Sequence, residues 1–410
     1  MRLVLTPYTM DNMENNKKIT FKAVGRTKHK WQDYREYANN EYMRSGEDNY
    51  FPHYLIDLYN RSSIHAAAVN ATTEAIIGGG LVANEDYYLD NANTKGETWN
   101  DIFDKVATDF YLQGSFALEI IWSRDRSRIA EVYHIDYSHI RAKEKDHRGH
   151  IPGWYISSDW DKKGRYAAIV DDALYLPAFN PNEKELEPNQ IFVYKAYRPG
   201  QEYYTLPVYN GALRVIELDT EIDNFHVSNI KNGLAPSLMI TTFTNGSDDD
   251  IKAVEAQLRA NYGGSDNAGG LMYMDVDSPE NAPIVQPISQ NGADNYYVTV
   301  NDMTMQKVLS AHRISSPTIL GIATSGALGQ RDEMIDAMTL WLNTVIAPYQ
   351  QDILKSLEKL LQINYPDAVL GVETKVIFED GTTEEEIITS VEATDAEDAD
   401  INEETIIETI

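Results

Sequence analysis

An α+β fold is predicted, with helices and antiparallel strands segregated along the chain rather than alternating. Apolar residues recur at helical spacing before glycine stops between residues 53 and 113. Period-two apolar runs separated by turn residues fill about 115 to 200, and long helical stretches return from Pro207 onward, interrupted by short strands.

Residues 53 to 77 read as one helix, with Tyr54, Leu55, Leu58, Ile64, Ala67, Ala68 and Ala71 on its repeat and Gly78-Gly79-Gly80 as its stop. A second helix runs from about Trp99 to Gln113 and ends at Gly114. The runs Phe116 to Trp122 and Ile129 to Tyr133 then read as paired strands joined by a charged turn. Gly153 to Ser157, Tyr166 to Val170 and Gln190 to Tyr197 continue the pattern.

Pro207 opens a helical stretch to about Lys231, closed by Asn232-Gly233 with Pro236 beyond; 25 residues would make a rod of about 37 Å. A strand from Ser237 to Thr242, a helix from Ser247 or Asp248 to Tyr262, and a strand from Leu271 to Asp275 follow. A further helix begins near Asp294 and ends by Ser315-Ser316-Pro317. The last helix pair spans about Gln330 to Gln362, with Pro348 expected to bend or divide it.

Composition excludes several functions. With no cysteine among 410 residues, disulfides, thiol catalysis and cysteine-ligated metals are ruled out, and a reducing compartment suits the chain. The first residues meet Asp11 and Glu14 too soon for a secretory signal, and no run approaches the roughly 18 apolar residues that span a bilayer. A soluble product made inside the cell, with no membrane partner, is expected.

The formal net charge is −29, and residues 379 to 410 hold 13 acidic residues with no Lys or Arg; subtracting them from −29 leaves −16 for the body. Such a body lacks the cations needed to hold nucleic acid broadly, so DNA, if involved, is conducted rather than gripped. A local basic excess at Lys17, Lys18, Lys22, Arg26, Lys28 and Lys30 reads as a surface arm packing on a neighbour, with a nucleic-acid arm as the alternative.

No motif carries catalysis. The glycine-rich Gly321 to Gly329 lacks the Lys-Ser or Lys-Thr that would reach phosphates and magnesium, so a loop between helices is expected there. His134, His139, His147 and His150 match no zinc spacing and read as surface residues. No catalytic residue, cofactor or metal ligand is assigned. The informative element is the helix after Pro207: its wheel places Val215, Leu218, Ile222 and Phe225 on one face, and Glu217, Glu221, Asn224 and Ser228 on an adjacent polar stripe, which reads equally as a functional or a simply solvated face.

Several segments resemble, in order, the phage portal family. Arg61-Ser62-Ser63-Ile64-His65-Ala66-Ala67-Ala68-Val69 before the triple glycine is similar to its first helix, and Asp109 to Ile120 to its helix, small residue and strand. Tyr204-Thr205-Leu206-Pro207 resembles the Tyr-Gly-x-Pro opening of the first stem helix, with Thr205 where Gly is usual, and Asn232-Gly233-Leu234-Ala235-Pro236 resembles its Asn-Gly-x-x-Pro close. Gly263-Gly264-Ser265-Asp266-Asn267-Ala268-Gly269 resembles the family's clip turn. His312 to Gly321 resembles the segment before the tunnel loop, with Ser316 replacing one Pro.

The resemblance implies a portal fold: an N-terminal arm (1–50), a β-rich wing (51–205), a first stem helix (206–231), a small α/β clip (232–290) and a second stem helix (291–316). A tunnel loop (317–333), C-terminal wing or crown helices (334–365) and an acidic segment (366–410) complete it. It implies a non-enzymatic virion protein, assembled in the host bacterial cytoplasm as a closed ring of about twelve copies at one capsid vertex. The partners implied are duplex DNA in the channel, the major capsid protein, the terminase large subunit, and neck, adaptor and tail proteins. Glu217, Glu221, Asn224 and Ser228 become candidates to line the channel, and Thr324, Ser325, Gly326, Ala327, Leu328, Gly329 and Arg331 candidates for the tunnel loop. Another head-to-tail adaptor or minor capsid protein is the alternative, and an enzyme the third class.

Overall fold

The computed structural model describes residues 33–39, 41–158, 160, 173–184, 187–232, 236–242, 270–275, 293–322 and 331–374. All lie in the compact unit that begins at Asp33. A hairpin, β1 (Glu36–Asn39) with β2 (Tyr42–Ser45), leads into α1 (Phe51–Arg61) and α2 (Ser63–Ile77). The single helix expected over 53–77 is therefore two. Ser62 is extended, with φ −92° and ψ 115°, and its hydroxyl caps α2 by accepting from the His65 N–H at 3.2 Å. A serine cap contributes about 1 kcal/mol. The same hydroxyl donates to Asp219 Oδ2 at 2.7 Å, so a partner 157 residues away holds the break open.

The glycine run after α2 stops the helix and also admits another strand. β3 (Leu81–Ala83) pairs antiparallel with β12 (Leu370–Val372), the last strand of the described chain. Gly78 sits at φ +58°, and a Cβ there would lie 2.7 Å from the Glu373 carbonyl oxygen. Gly78→Ala is expected to cost about 2 kcal/mol through this collision and the left-handed backbone. Chemical denaturation would check it; a loss below a few tenths would mean that β12 simply moves aside.

α3 (Trp99–Gln113) starts with a capping box in which Thr98 and Asp101 satisfy each other's backbone N–H. It ends at Gly114, φ +80°, where a Cβ would meet the Leu206 carbonyl at 2.9 Å. β4 (Ser115–Trp122) is the central strand of a three-stranded antiparallel sheet, between β5 (Ile129–Ile135) and β9 (Asn189–Lys195). Alternation sends Phe116, Leu118 and Ile120 of β4 into a core shared with α1, α2 and α3, while Ala117 faces the other way. There it joins a smaller core with Tyr137, Trp154, Leu176 and Tyr204, contributed largely by the second sheet of β6 (Ile140–Ala142), β7 (Gly153–Ile156) and β8 (Leu174–Pro177). The strand expected over 166–170 lies outside the described residues.

The helix expected from Pro207 begins later. Residues Asn210–Ala212 form a 3₁₀ turn, and α4 runs Leu213–Asn232, about 30 Å. β10 (Pro236–Thr242) pairs parallel with β11 (Gly270–Asp275); the helix expected between them lies outside the described residues. α5 (Ala293–Ala311) packs on α4 and stops short of the expected end, where Arg313 takes φ +59°.

The last helices are α6 (Arg331–Trp341) and α7 (Ala347–Leu361), joined by a π-turn at Leu342–Ile346. Pro348 has no N–H to offer the Thr344 carbonyl one turn back, and Arg313 Nη2 donates to that carbonyl at 3.3 Å instead. α7 buries Ile353, Leu357, Leu360 and Leu361 in the main core. The body then continues through β12 to Thr374, past the point where an acidic segment was expected to begin.

Candidate functional site

The site of interest is the root of α4 and α5, where the two long helices meet the body. α4 buries Leu213, Ile216 and Thr220, spaced along one face, against the core. Beyond Thr220 its own chain covers little of it: Glu221, Asp223, Asn224 and His226 are exposed, and Val227 is 48% exposed. The apolar face read from the wheel is not the buried one, since Leu218 is 43% exposed and Val215 and Ile222 only half-buried. Core contacts at the root, rather than the wheel, decide the helix's rotation.

The polar stripe divides along its length. Glu217 is half-buried and its Oε2 accepts a hydrogen bond from Tyr54 of α1 at 3.2 Å. Burial, then the Glu217 carboxylate, raises the Tyr54 phenol well above its usual range. Glu221 and Asn224 face solvent, and the side chain of Ser228 lies outside the described atoms. Asp219, two residues from both Glu217 and Glu221 and so on the opposite side of the helix, is held by Ser62, and burial followed by nearby Asp223 raises its carboxyl above the ordinary value.

Below these lies a buried histidine pair that sequence spacing does not reveal. His65 of α2 and His312, just past α5, are 247 residues apart, yet His65 Nδ1 and His312 Nε2 are 2.9 Å apart. The Tyr111 hydroxyl bonds His312 Nδ1 at 2.8 Å, and Tyr209 stacks on His312 with ring centroids 4.8 Å apart. Tyr209 is itself pinned by donating to the Leu112 carbonyl at 2.5 Å. The pair thus ties α2, α3, the entry to α4 and the exit from α5 together.

In either direction of the Tyr111–His312–His65 hydrogen-bond chain, His65 Nε2 at its end has no hydrogen-bond partner among the described residues. No added positive charge is compensated there. Burial holds the His65 imidazole down at about 4, and burial together with His65 holds His312 well below its ordinary value.

The histidines expected on the surface split. His147 and His150 are exposed, but His134 is half-buried and its Nε2 lies 2.9 Å from Oδ2 of Asp109, a carboxyl that burial raises. Asp109 also accepts from the Tyr137 N–H at 3.0 Å, so His134 is part of a tie between α3 and β5 rather than a free surface group. Among the described residues no cluster of three or more His, Asp or Glu could hold a metal ion. Thr324, Ser325, Gly326, Ala327, Leu328 and Gly329 lie outside the described residues. Arg331 is the first residue of α6, with its side chain outside the described atoms.

The phage portal protein family model matches residues 83–379, well over half of the chain and inclusive of α3, both sheets, α4, α5 and the last helices. The chain belongs to the phage portal protein family. Two solved structures share the portal chain's fold. One, described as the virion of a native gene transfer agent particle, has a TM-score of 0.53 and 11% identity over 87% of this chain and 91% of that one. The other, the neck of an empty gene transfer agent particle computed with C6 symmetry, has a TM-score of 0.53 and 12% identity over 87% and 90%. An uncharacterized protein of Rickettsia bellii (strain RML369-C) is 26% identical over 185 residues. That match covers 44% of this portal chain and 45% of the relative's own length. No described helix of this portal protein is long and apolar enough to cross a membrane.

Proposed function

We propose that this portal protein closes into a ring, of about twelve copies, at one vertex of a phage or gene-transfer-agent capsid, and that duplex DNA passes through its axial channel. The observation that carries this reading is the exposure along α4 from Leu218 onward: a long helix whose own chain leaves Leu218 and Val227 exposed beside Glu221 and Asp223. A helix with apolar groups on several sides and no cover from its own fold is suited to packing between copies of itself. Neighbouring stems would cover Leu218 and Val227, leaving Glu221, Asn224 and Ser228 for the channel. Glu217 has a lesser part, because Tyr54 draws it toward α1.

In this reading α4 and α5 are the stem and the strands β10 and β11 belong to the clip, where the terminase large subunit docks and supplies force. Neck, adaptor and tail proteins take its place after packaging, and the major capsid protein surrounds the wing. The glycine-containing segment between Leu320 and Arg331 is the tunnel loop, with Arg331 the basic group for transient phosphate contact. The matching family, and the virion and neck particles whose chains share the fold, support the assignment to a particle vertex.

Native mass spectrometry at micromolar concentration should find one closed oligomer. Only monomer and dimer, including in the presence of capsid protein, would contradict the proposal. Shortening Thr324 to Leu328 should spare the ring and terminase docking while lowering packaging or DNA retention. Loss of the ring, with normal packaging by any rings that form, would instead make the segment a brace between subunits.

A further inference from the structure

The ribbon of β3 and β12 faces the core on one side only. Leu81 and Leu370 are buried, while Val82 is 43% and Val369 60% exposed. Val82 stands opposite Gly371, and Val369 is two residues before that glycine, so strand alternation puts both valines on the outward face. Two hydrogen bonds hold that face together. The Asn84 N–H donates to the Val369 carbonyl at 3.2 Å, and the Val369 N–H donates to Asn84 Oδ1 at 3.0 Å.

A tyrosine cluster adjoins the ribbon. The 3₁₀ turn Asp86–Tyr88 sets Tyr87, 57% exposed, edge-on to Tyr365 with ring centroids 5.9 Å apart, and Tyr88 stacks on Tyr365 at 4.2 Å. The Tyr88 hydroxyl donates to Asp367 Oδ1 at 3.2 Å. Residues 82–88 and 365–371 are thus tied to each other and leave Val82, Tyr87 and Val369 exposed together. Large apolar side chains gathered in this way mark an interaction surface, where singly scattered ones do not.

The surrounding charge selects the partner. Glu85, Asp86, Asp90 and Asp367 are all exposed, and no ion pair among the described residues holds any of them. Neither 81–94 nor 360–374 contains a Lys or Arg. Arg128 flanks one side, next to Ile129, whose N–H donates to Asn364 at 2.8 Å, and one cation against four carboxylates leaves the balance acidic. We propose that this face binds a cationic protein segment, one that carries Lys or Arg beside apolar side chains. Val82, Val369 and the tyrosine rings supply the apolar contact, and the carboxylates, helped by cation–π attraction at the rings, draw the basic groups. Nucleic acid would bring phosphates against the four carboxylates. A second copy, with a net charge of −29, would oppose like with like on this face. The inference stands whether or not the ring forms.

The test titrates full-length protein into a short fluorescein-labelled peptide of alternating Lys and Leu and reads the anisotropy. Asp86→Lys with Asp90→Lys should weaken binding about tenfold, whereas Glu144→Lys with Glu187→Lys, the same change of charge at exposed positions elsewhere, should weaken it less than about twofold. A peptide of alternating Lys and Ser should bind the unaltered protein about tenfold more weakly than the Leu peptide. In hydrogen exchange the bound Leu peptide should protect residues 82–90 and 365–373. Equal weakening by the two pairs of substitutions would overturn the proposal, since attraction to the net charge alone would explain it. Equal binding of the two peptides, or protection confined to other residues, would also overturn it. A smaller oligomer on Val369→Ser, with no peptide present, would assign the face to a second copy instead, and protection of the same residues by a short DNA duplex would assign it to nucleic acid.

Discussion

Acidification from pH 7 to below 4 is expected to remove about 3 kcal/mol of folding stability through His65 alone, with a further loss through His312. Both imidazoles are buried and neutral, and no carboxylate bonds either ring among the described contacts. The unfolded chain takes up protons below its ordinary histidine value of 6.5, while the folded chain resists them until about pH 4 at His65. The contribution is therefore fully present above 6.5 and is lost as pH falls through that window.

Three carboxyls act with the opposite sign. Burial raises Asp109, Glu119 and Asp219, so each favours the folded state on the acid side and loses that advantage as pH rises. The discriminating measurement is consequently the difference between wild type and His312→Gln in chemical denaturation from pH 7 to 4. The variant should be less stable at pH 7 and should lose less stability on acidification. Parallel curves would show that the pair is not the titrating element. Because these rings join α2 to the exit of α5, the loss should appear first as hydrogen exchange at the root of the long helices.

Replacing Glu221 and Asn224 together by Lys is expected to cut DNA packaging about tenfold or more while leaving the oligomer intact. Both residues are exposed, so no folding contact is lost. In the proposed ring of about twelve copies, with these residues facing the channel, the change would replace a ring of carboxylates with two rings of ammonium groups, which hold phosphate rather than let it slide. Screening acts over about 8 Å at physiological salt, so the defect should deepen at low salt and ease at high salt. The same exchange at Glu217 should affect stability more and packaging less, because it removes the acceptor of Tyr54. Equal packaging defects at the two positions would mean that α4 is turned differently in the assembly.

Elements defined by local chemistry were legible in the sequence. α3 has its capping box and αL glycine within its own residues, and β4 and β5 show their alternation directly, so their expected and observed limits nearly coincide. Pro348 likewise marked the division of the last helices, although the π-turn that accommodates it depends on Arg313 as an outside donor. The break at Ser62 was not legible, because Asp219 lies 157 residues on and nothing in the local apolar spacing stops the helix. Neither were the His65–His312 pair and the second role of the glycine run, which exist only once distant segments are packed. For the polar stripe of α4, periodicity found the polar positions but not their neighbours. Tyr54 separates Glu217 from Glu221, and only tertiary structure could place it there.

The most direct test of a DNA-conducting ring is an image of the purified, assembled protein viewed along its axis by electron microscopy. The account predicts a closed ring of one subunit count, built of repeated head-to-tail contacts around a central opening wide enough for duplex DNA. A compact dimer, an open filament, or a ring whose centre is filled by protein would contradict it.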